Sequence, residues 1–493
     1  MKVENQYMST YNQNFILHPV GQGLFCSGEV SVEEKGWTDI FTWVFDCGSL
    51  NKGNIEEEVQ LFREENFKRQ SKLELLVISH FDQDHVNYIG RLLDGDIKVK
   101  KIVLPFLPLS ERLFLVLRIL DGDDVDPDRG KLIELIIDPV GVLSRYLDDD
   151  GGQIILIDGD PDNPPFGLDS VDSIEEKDLA ESNRIVFSIP GVLLIKPDGA
   201  ATFGITDASR VWYTKDSNKG YIFTGGKPFI EFLFYRKSIG EEEEKFYKVV
   251  WEKFIKSHAK RIKDKSKPTV AEIVEVVKGI RHATLVKRIF KSALEDTKIK
   301  VATKTKVMEM NTTALCLLHA CLPLSWPEKV REDDFTISVD VIEKPDGTQV
   351  TRVANPHVDV YRFPFWEYYH RRYWYRREGY RLFPNCILTS DCFLLERTDV
   401  EAFYNRYQHY WFRFWIFQIP HHGSRRNVDA TLLSRLHFHV TPFVNFGVNR
   451  EWPGRWTHPS PDTMNALTAT ALSAKLLPVN EYKGFRFRWS LHK

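Results

Sequence analysis

The chain has 493 residues, of which 43% are hydrophobic and 13% are aromatic, and its formal net charge at pH 7 is −3. This apolar content excludes a disordered chain, and the near-neutral charge excludes a polyanion-binding protein that is basic throughout. The length predicts two or three domains, or one fold that carries large insertions.

The cysteines and the hydropathy pattern bear on the cellular compartment. None of the six cysteines forms a CxxC pair, and four lie in apolar, strand-like runs, which predicts free thiols in a reducing compartment. The N-terminus lacks the apolar segment of a secretory signal, and no apolar stretch approaches the roughly 18 residues that cross a membrane. We therefore expect a cytoplasmic protein with no membrane partner.

The first ninety residues predict strands and a helix in alternation. Short apolar runs indicate strands over 15–20, 41–45 and 73–79, and charged helical periodicity indicates a helix over 54–69. A second helix is predicted to begin at 86. This order favours a mixed sheet covered by helices.

The middle of the chain predicts loops followed by helices. The acidic segments 121–130 and 158–165 are rich in Gly and Pro, and they lack the spacing and closing Glu of a calcium loop, so we interpret them as solvated turns. Segment 241–297 is mostly helical in pattern and predicts an inserted helical hairpin; its first stretch, 241–265, begins with glutamates and ends with lysines, which complements a helix dipole.

The C-terminal part returns to strands, predicted over 314–318, 386–389 and 415–419. Residues 325–384 are interpreted as a second insertion. The predicted organisation is thus a core formed by 1–95 and 306–493, interrupted by an insertion region over 96–305.

A group of metal-ligand side chains follows the third predicted strand. The segment 76–90, LVISHFDQDHVNYIG, contains His80, Asp82, Asp84 and His85 within six residues. Imidazole and carboxylate are ligands of catalytic divalent metals, and two ions about 3.5–4 Å apart that share a hydroxide are a known hydrolytic device. His80 and Asp82 could hold one ion while Asp84 and His85 hold the second. Each residue alone could be an ordinary polar residue or a helix N-cap, but the set favours metal binding.

Further candidate ligands follow later strands. Asp391 ends one apolar run, and His421 and His422 end another. Paired histidines at a strand end are unusual in a purely structural role. His458, which precedes a proline, is either a loop residue or a contact to substrate.

These motifs resemble those of a known family. His80 to His85 is similar to the HxHxDH signature of metallo-β-lactamase-fold hydrolases. It is closer to the variant with Asp at the second ligand, which is typical of the hydrolase domain of the DNA-uptake protein ComEC and its stand-alone relatives. Other elements similar to the family's motifs occur in the family's order. They are Val20-Gly21-Gln22-Gly23, Phe45-Asp46-Cys47-Gly48, Leu388-Thr389-Ser390-Asp391, Ile419-Pro420-His421-His422-Gly423-Ser424 and Thr457-His458-Pro459-Ser460-Pro461.

The resemblance implies a fold and a site. The fold is an α/β (α+β) protein, an αββα sandwich of the metallo-β-lactamase type with large insertions, one of them helical. The site is a dinuclear centre in which Asp391 bridges, Asp84 and His458 take part in the chemistry, and Asp46, Gly21 and Gly23 support the metal loop. The implied metal ligands are His80, Asp82, Asp84, His85, Asp391, His421 and His422.

One departure from the family affects the choice of metal. Many relatives place a further His on the first metal, between the loop motif and the bridging Asp, and nothing here clearly supplies it. Asn311 resembles the Asn-rich element of the ComEC group near that position. The first site is therefore expected to be rich in oxygen ligands, so we expect two divalent ions, Zn²⁺ or Mn²⁺, with Mg²⁺ as a further candidate.

The substrate that the resemblance implies is a polynucleotide, with a role in bacterial defence against foreign DNA. Ser424, Arg425 and Arg426 follow the paired histidines and suit a polyanion. Segment 361–384 interleaves aromatics with arginines, which can stack on bases and bind phosphates. The same segment could instead be a folded hairpin whose arginines pair with nearby acids.

Two other functions remain open at this point. A two-metal site hydrolyses small esters, thioesters and phosphoesters as well as polynucleotides, and the fold does not choose among them. A non-catalytic scaffold that binds a protein partner through the insertions is the alternative from another class, although the complete ligand set argues against it. A metal assay separates scaffold from enzyme, and a substrate panel separates the two enzymes.

Overall fold

The fold is built from two mixed β-sheets and the helices that cover them. The computed structural model describes residues 9–34, 36–67, 72–95, 97–121, 129–159, 185–189, 192–195, 209–214, 219–224, 227–265, 268–280, 283–299, 314–321, 335–344, 385–411, 414, 416–437, 440–448, 458–470 and 476–492. The strands in chain order are β1 (Thr10–Leu17), β2 (Gly23–Glu34), β3 (Trp37–Ser49), β4 (Lys72–Val77), β5 (Lys98–Pro105), β6 (Gln153–Ile157), β7 (Val186–Ser188), β8 (Leu193–Leu194), β9 (Val211–Thr214), β10 (Lys219–Thr224), β11 (Lys227–Arg236), β12 (Leu315–Cys321), β13 (Phe335–Glu343), β14 (Cys386–Leu388), β15 (Ile416–Gln418), β16 (Thr441–Asn445), β17 (Leu477–Val479) and β18 (Lys483–His492).

The helices lie between strands throughout the chain. They are α1 (Lys52–Asn66), α2 (Gln83–Val86), α3 (Ile89–Leu92), α4 (Leu109–Asp121), α5 (Arg129–Ile137), α6 (Pro139–Ser144), α7 (Glu241–Ser257), α8 (Val270–Lys278), α9 (Ala283–Thr297), α10 (Arg397–Tyr407), α11 (Ala430–Arg435) and α12 (Pro461–Thr468). The α/β fold class predicted from the sequence is confirmed.

Each sheet combines antiparallel and parallel pairs. The first sheet has the order β13-β18-β1-β2-β3-β4-β5-β6-β9-β8, and its neighbours from β3 to β9 are parallel. The second has the order β17-β16-β15-β14-β12-β11-β10-β7, and its neighbours from β14 to β17 are parallel. The parallel half of each sheet therefore has one edge at which all carboxyl ends meet.

Three hydrophobic clusters show that the sheets are stacked between helices. One cluster lies between the sheets, where Trp43 of β3 meets Phe232 of β11 with ring centroids 5.7 Å apart. The second packs the outer face of the first sheet on α1 and α4–α9, and the third packs the outer face of the second sheet on α10–α12. The layers follow the order αββα.

Strand β4 shows why the sequence forms this arrangement. Leu76 and the following Ile78 belong to the cluster beneath the helices, whereas Leu75 and Val77 belong to the cluster between the sheets. Successive side chains of a strand point to opposite faces, so a strand buried on both sides has to be apolar throughout. The run LELLVIS is typical of a central strand, and its one charged residue, Glu74, accepts a hydrogen bond from the backbone N–H of Thr42.

Parts of the predicted insertion region differ from the expectation. Strands β5, β6 and β9 continue the first sheet beyond β4, and β10 and β11 join the second sheet. Residues 96–305 therefore contribute to both sheets. Segment 241–297, expected as a hairpin, forms the three helices α7–α9. In the predicted insertion 325–384, β13 pairs with β18 at the edge of the first sheet.

Two expectations about the compartment can be compared with the structure. The six cysteines are buried and free, as predicted. No helix in the described ranges is both long and apolar enough to cross a bilayer.

Candidate metal centre

The loops after β4, β14 and β15 meet at the carboxyl ends of the parallel strands. His80 lies three residues after the end of β4, and α2 carries Asp84 and His85. Asp391 follows β14, and His421 and His422 begin a single 3₁₀ turn after β15. In open α/β sheets, ligands bind outside the carboxyl ends of the strands, so this edge is the expected place for a site.

Asp82 provides a direct comparison between a structural and a ligand role. It is the N-cap residue of α2, but its side chain makes no capping hydrogen bond. An Asp at an N-cap normally accepts a bond from the first turn. Its carboxylate instead points to His80, with Oδ2 3.6 Å from Nε2. The capping explanation therefore does not account for Asp82.

The side chains form a first group around one oxygen of Asp391. Asp391 Oδ2 lies 3.8 Å from His80 Nε2 and 3.6 Å from His421 Nε2. His80, Asp82 and Asp391 each offer a ligand atom, and these atoms lie within 4.8 Å of one another. The first group thus has two imidazoles and two carboxylates.

A second group surrounds the other oxygen of the same carboxylate. Asp391 Oδ1 lies 3.3 Å from His85 Nε2 and 3.7 Å from His422 Nε2. Asp84 Oδ2 lies 3.3 Å from His422 Nε2, and the ligand atoms of Asp84, His85 and His422 also fall within 4.8 Å of one another. Asp391 therefore lies between two groups of equal composition and presents one oxygen to each.

Several ligand-type atoms of these groups have no hydrogen-bond partner among the described residues. They are Nε2 of His80, His85 and His422, and Oδ1 of Asp391, and all four are buried. A buried polar atom without a partner typically costs about 1–3 kcal/mol, and such atoms are rare in folded proteins. Four of them directed at one centre are explained if they bind a cation.

The other ring nitrogen of each buried histidine is held by the protein. The Nδ1 partners are Ser79 Oγ for His80 at 2.8 Å, Asp46 Oδ2 for His85 at 2.9 Å and the backbone oxygen of Asn445 for His422 at 2.8 Å. A partner on Nδ1 fixes the ring and directs Nε2 into the centre, as is usual for metal-ligating histidines. The residues present therefore fit a pair of divalent ions.

Asp46 supports the centre rather than facing it. Its carboxylate is fully buried and accepts hydrogen bonds from the backbone N–H of Ser79 at 2.7 Å and from Ser390 Oγ at 3.1 Å, besides contacting His85. One oxygen could reach an ion together with His80 and His85. Both oxygens of Asp46 are already engaged by Ser79, Ser390 and His85, so the carboxylate is placed to position His85.

Backbone conformation is unusual at the centre. Among the described residues, five non-glycine residues have positive φ, and Asp46, Ser390, His421 and His422 are four of them. The left-handed region is unfavourable for residues with a Cβ and is occupied where surrounding structure enforces it, often at functional sites. This conformation turns His421 and His422 toward the two different oxygens of Asp391.

Glycines of β2 and β3 allow the loop 80–85, which carries the candidate ligands, to approach these strands. A Cβ on Gly48 would lie 2.5 Å from the His85 carbonyl carbon, and one on Gly23 would lie 2.5 Å from the backbone oxygen of Asp84. Gly23 also has φ of 136°, and Gly21 has φ of 79°. The glycines of the VGQG and DCG motifs therefore have a steric reason at this site.

The charges of the centre are strongly coupled. Burial would raise the pKa of the Asp391 carboxyl, but the imidazoles of His421, His85 and His422 hold it well below its usual range. Burial likewise opposes ionisation of Asp84, yet His422 and His85 lower its pKa to about 2. The buried carboxylates therefore remain ionised and require positive charge beside them, which divalent cations supply.

Several residues expected to contact substrate follow or lie beside the paired histidines His421 and His422. The His458 ring centroid is 6.0 Å from that of His421, and burial followed by the charges of His422 and His421 lowers the His458 pKa to about 4. Ser424 is buried and accepts a hydrogen bond from the backbone of Arg426 at 3.3 Å. The arginines after the paired histidines, Arg425 and Arg426, are exposed. Asn311 and segment 361–384 lie outside the described residues.

Sequence reasoning missed part of this arrangement. A further imidazole of the first group was expected between the loop motif and Asp391 in the chain. The imidazole that lies at the first group is that of His421, which follows Asp391 in the chain. The described geometry places two imidazoles and two carboxylates at each group, and the preference of the first site for particular ions stays a prediction. The supporting residues Ser79, Ser390 and Asn445 were also missed, although Ser79 directly precedes His80 and Ser390 directly precedes Asp391.

Comparisons with known proteins do not identify the chain: no family model and no curated protein matches it. The likeness to metallo-β-lactamase-fold hydrolases thus rests on the motifs alone.

Proposed function

We propose that this protein is a metal-dependent phosphodiesterase that acts on polynucleotides through a dinuclear centre, on a sandwich of the metallo-β-lactamase type. The observation that carries the proposal is the position of Asp391, whose two oxygens face two matching groups of imidazole and carboxylate side chains. A carboxylate placed in this way can hold two hydrolytic metal ions close to each other.

The donor set narrows the choice of ions. His80, Asp82 and His421 form one group with Asp391, and Asp84, His85 and His422 form the other. Two nitrogen and two oxygen donors in each group suit Zn²⁺ or Mn²⁺, whereas Mg²⁺ prefers an all-oxygen site. We therefore expect Zn²⁺ or Mn²⁺ to support activity better than Mg²⁺.

The chain and the ions divide the chemistry between them. Two divalent ions, when bound, supply Lewis acidity and lower the pKa of water, so that hydroxide is available at neutral pH. His458 has an N–H with which to hold an oxygen of the substrate, beside His421 and His422. Arg425 and Arg426 place two exposed cations next to the paired histidines, where they can neutralise phosphates on either side of the scissile bond.

A polynucleotide agrees with these features better than a small neutral ester does. Cations beside the centre stabilise a bound polyanion, whereas they add nothing to the binding of a neutral acyl ester.

The compartment and the biological role are part of the same proposal. Six free, buried thiols agree with a reducing compartment, so we propose that the protein acts in the cytoplasm, in defence against foreign DNA.

Substitution of the loop carboxylates tests the activity. We expect Asp82→Ala and Asp84→Ala to abolish hydrolysis of bis(p-nitrophenyl) phosphate and of single-stranded DNA, because each removes a ligand from one group. Melting temperatures should stay close to that of the unchanged protein, since neither side chain packs in the core. Glu64→Ala is the matched control, because Glu64 is exposed on α1 and lines neither the centre nor its surroundings.

A substrate panel with added Mn²⁺, Zn²⁺ or Mg²⁺ separates this proposal from the alternatives. Cleavage of p-nitrophenyl acetate without cleavage of either diester would contradict the substrate class. Near-unchanged turnover by either Ala variant at saturating metal would contradict the assigned ligands. The absence of any hydrolysis by the unchanged protein would favour the scaffold.

A further inference from the structure

A groove of about 890 Å³ opens beside the metal loop, on the side of the first sheet that carries the helices. Its walls come from the start of α1, from α2 and α3, and from the ends of α4, α5 and α6. Gln83, which lies between Asp82 and Asp84, lines one end of it. The groove is therefore continuous with the segment that supplies the metal ligands.

The charge of the groove is predominantly positive. Its lining includes three carboxylates, those of Glu56, Asp94 and Glu134, and six cations. The cations are Lys52, Arg91, Arg118, Arg129, Lys131 and Arg145. All three carboxylates already have a cationic partner, namely Arg91 for Glu56 and Asp94, and Lys278 for Glu134. Arg118 is also paired, with Asp121 at 3.5 Å, so the positive charge that the groove offers to an external anion comes chiefly from Arg129 and Arg145.

Two guanidinium groups in the groove are incompletely satisfied. The Nε atoms of Arg118 and Arg129 are buried and have no hydrogen-bond partner among the described residues. Burial also lowers the pKa of Arg129, so keeping this side chain charged costs free energy. A guanidinium whose buried Nε lacks a partner is stabilised by a phosphate, which accepts several N–H bonds at once.

The groove also offers surfaces on which a base can stack. The Arg145 guanidinium lies over the ring of Tyr146, 5.1 Å from its centroid, and Tyr88 forms another part of the wall. Ile89, Leu132 and Val142 contribute apolar surface between the charges. Cations that follow a backbone, together with aromatic and guanidinium faces, are the features with which proteins bind single-stranded nucleic acid.

We propose that this groove binds the single-stranded continuation of a polynucleotide whose scissile phosphate lies at the metal centre. The inference rests on the proposed function and adds the path of the strand away from the centre. Phosphates contact Arg118, Arg129 and Arg145, and an unstacked base packs against Tyr146. The wall is formed by helices rather than by a long loop, so the groove holds its shape before binding.

Equilibrium binding of a fluorescein-labelled oligothymidylate tests the groove. The full chain carries Asp84→Asn in every sample, so that the probe is not cleaved, and the double variant Arg129→Ala/Arg145→Ala is compared with its parent. Two lost phosphate contacts should weaken binding by about tenfold and flatten the log–log salt slope by about 1.4. Arg397→Ala is the matched control, because Arg397 is 87% exposed on α10, against the other sheet. It should leave both quantities unchanged.

Kinetics with Asp84 intact separate binding from chemistry. Hydrolysis of bis(p-nitrophenyl) phosphate and the melting temperature should be unaffected by the double substitution. Binding and salt slope equal to those of the Arg397→Ala control would overturn the groove as a strand site. Equal loss on the small diester, with a lower melting temperature, would overturn it as well and assign the arginines a structural role.

Two further comparisons define the ligand. An oligouridylate probe distinguishes RNA from DNA, and either result retains the single-strand assignment. A duplex that competes as well as an unlabelled single strand would overturn it. If the unchanged protein cleaves no diester, the proposed function is wrong, yet the binding comparison still decides whether the groove takes a polynucleotide.

Discussion

At the residue scale, the histidines of the centre depend on the side chains behind them. His85 contacts Asp46 through Nδ1, which fixes the ring and directs Nε2 at the candidate metal positions beside Asp391. Asp46 can do this because its other oxygen accepts the backbone N–H of Ser79, which fixes the orientation of the carboxylate. The ring nitrogen that faces the metals is thus selected by a residue that touches no ion.

This arrangement makes Asp46→Asn an informative substitution. The asparagine oxygen has to remain on the Ser79 N–H, so the amide NH₂ faces His85 Nδ1 and donates to it, which shifts the imidazole proton to Nε2. We expect affinity for Zn²⁺ to fall by about 10–100-fold. The fold should persist, because asparagine tolerates the positive φ of this position.

Competition with a chromophoric chelator measures the affinity. Asp94→Asn, at an exposed position, serves as the control and should bind Zn²⁺ as the unchanged protein does. Equal affinities for the Asp46→Asn and Asp94→Asn variants would show that the Asp46 carboxylate does not orient His85.

At the element scale, a buried polar network joins α1 to the N-terminal strands. His18, just after β1, contacts Glu58 of α1 at 2.9 Å through Nδ1 and Ser27 of β2 at 2.7 Å through Nε2. Lys344, just after β13, lies 2.9 Å from the other oxygen of Glu58. Three strands and a helix therefore meet at one fully buried carboxylate.

The network predicts a specific dependence of stability on pH. Burial would raise the pKa of Glu58, but His18 and Lys344 lower it from 4.5 to about 2. Because the folded-state pKa is the lower one, this stabilisation is complete above about pH 5 and is lost as the pH falls toward 2. The shift corresponds to free energy on the order of 3 kcal/mol.

Urea denaturation between pH 7 and pH 2.5 measures this effect. Glu58→Gln should be markedly less stable than the unchanged protein at pH 7, and the difference should shrink steadily below pH 4. Glu64→Gln, an exposed position on the same helix, is the control and should follow the unchanged protein. A difference between Glu58→Gln and the unchanged protein that stays constant over this range would contradict the ionised, partnered state of Glu58.

The elements that carry ligands could be predicted, whereas many of their partners could not. His80 and Asp391 follow short apolar runs, and this local pattern places them at strand ends without any knowledge of pairing. The addition of β5 and β6 beside β4 depends on pairing between segments that are distant in the chain, and no local sequence pattern indicates which strands pair. His18 and Lys344 both contact Glu58, and this link between distant parts of the chain is equally nonlocal.

The same distinction applies to the site. The ligand types were evident from sequence, but the division of His421 and His422 between two oxygens of Asp391 follows from left-handed backbone at both residues. Such a conformation in a residue other than glycine is imposed by the surrounding structure. Sequence could therefore predict which residues come together at the centre, and it could not predict how they divide between the two oxygens of Asp391.

At the scale of the whole molecule, the two sheets converge on one site. The parallel half of the first sheet directs the loop after β4, and the parallel half of the second directs the loops after β14 and β15, to the same edge. Ligands from both ends of the chain are thereby combined around Asp391. Neither sheet alone carries both groups, so the proposed dinuclear centre requires the assembled sandwich.

The number of divalent ions bound per chain tests this account most directly. Native mass spectrometry of the protein reconstituted with Zn²⁺ should show two ions per chain. Asp391→Ala should retain fewer than two at the same free Zn²⁺ concentration, because both groups lose a ligand. An unchanged protein that binds no Zn²⁺ or Mn²⁺, or an Asp391→Ala variant that holds two ions with unchanged affinity, would contradict the shared carboxylate and with it the dinuclear centre.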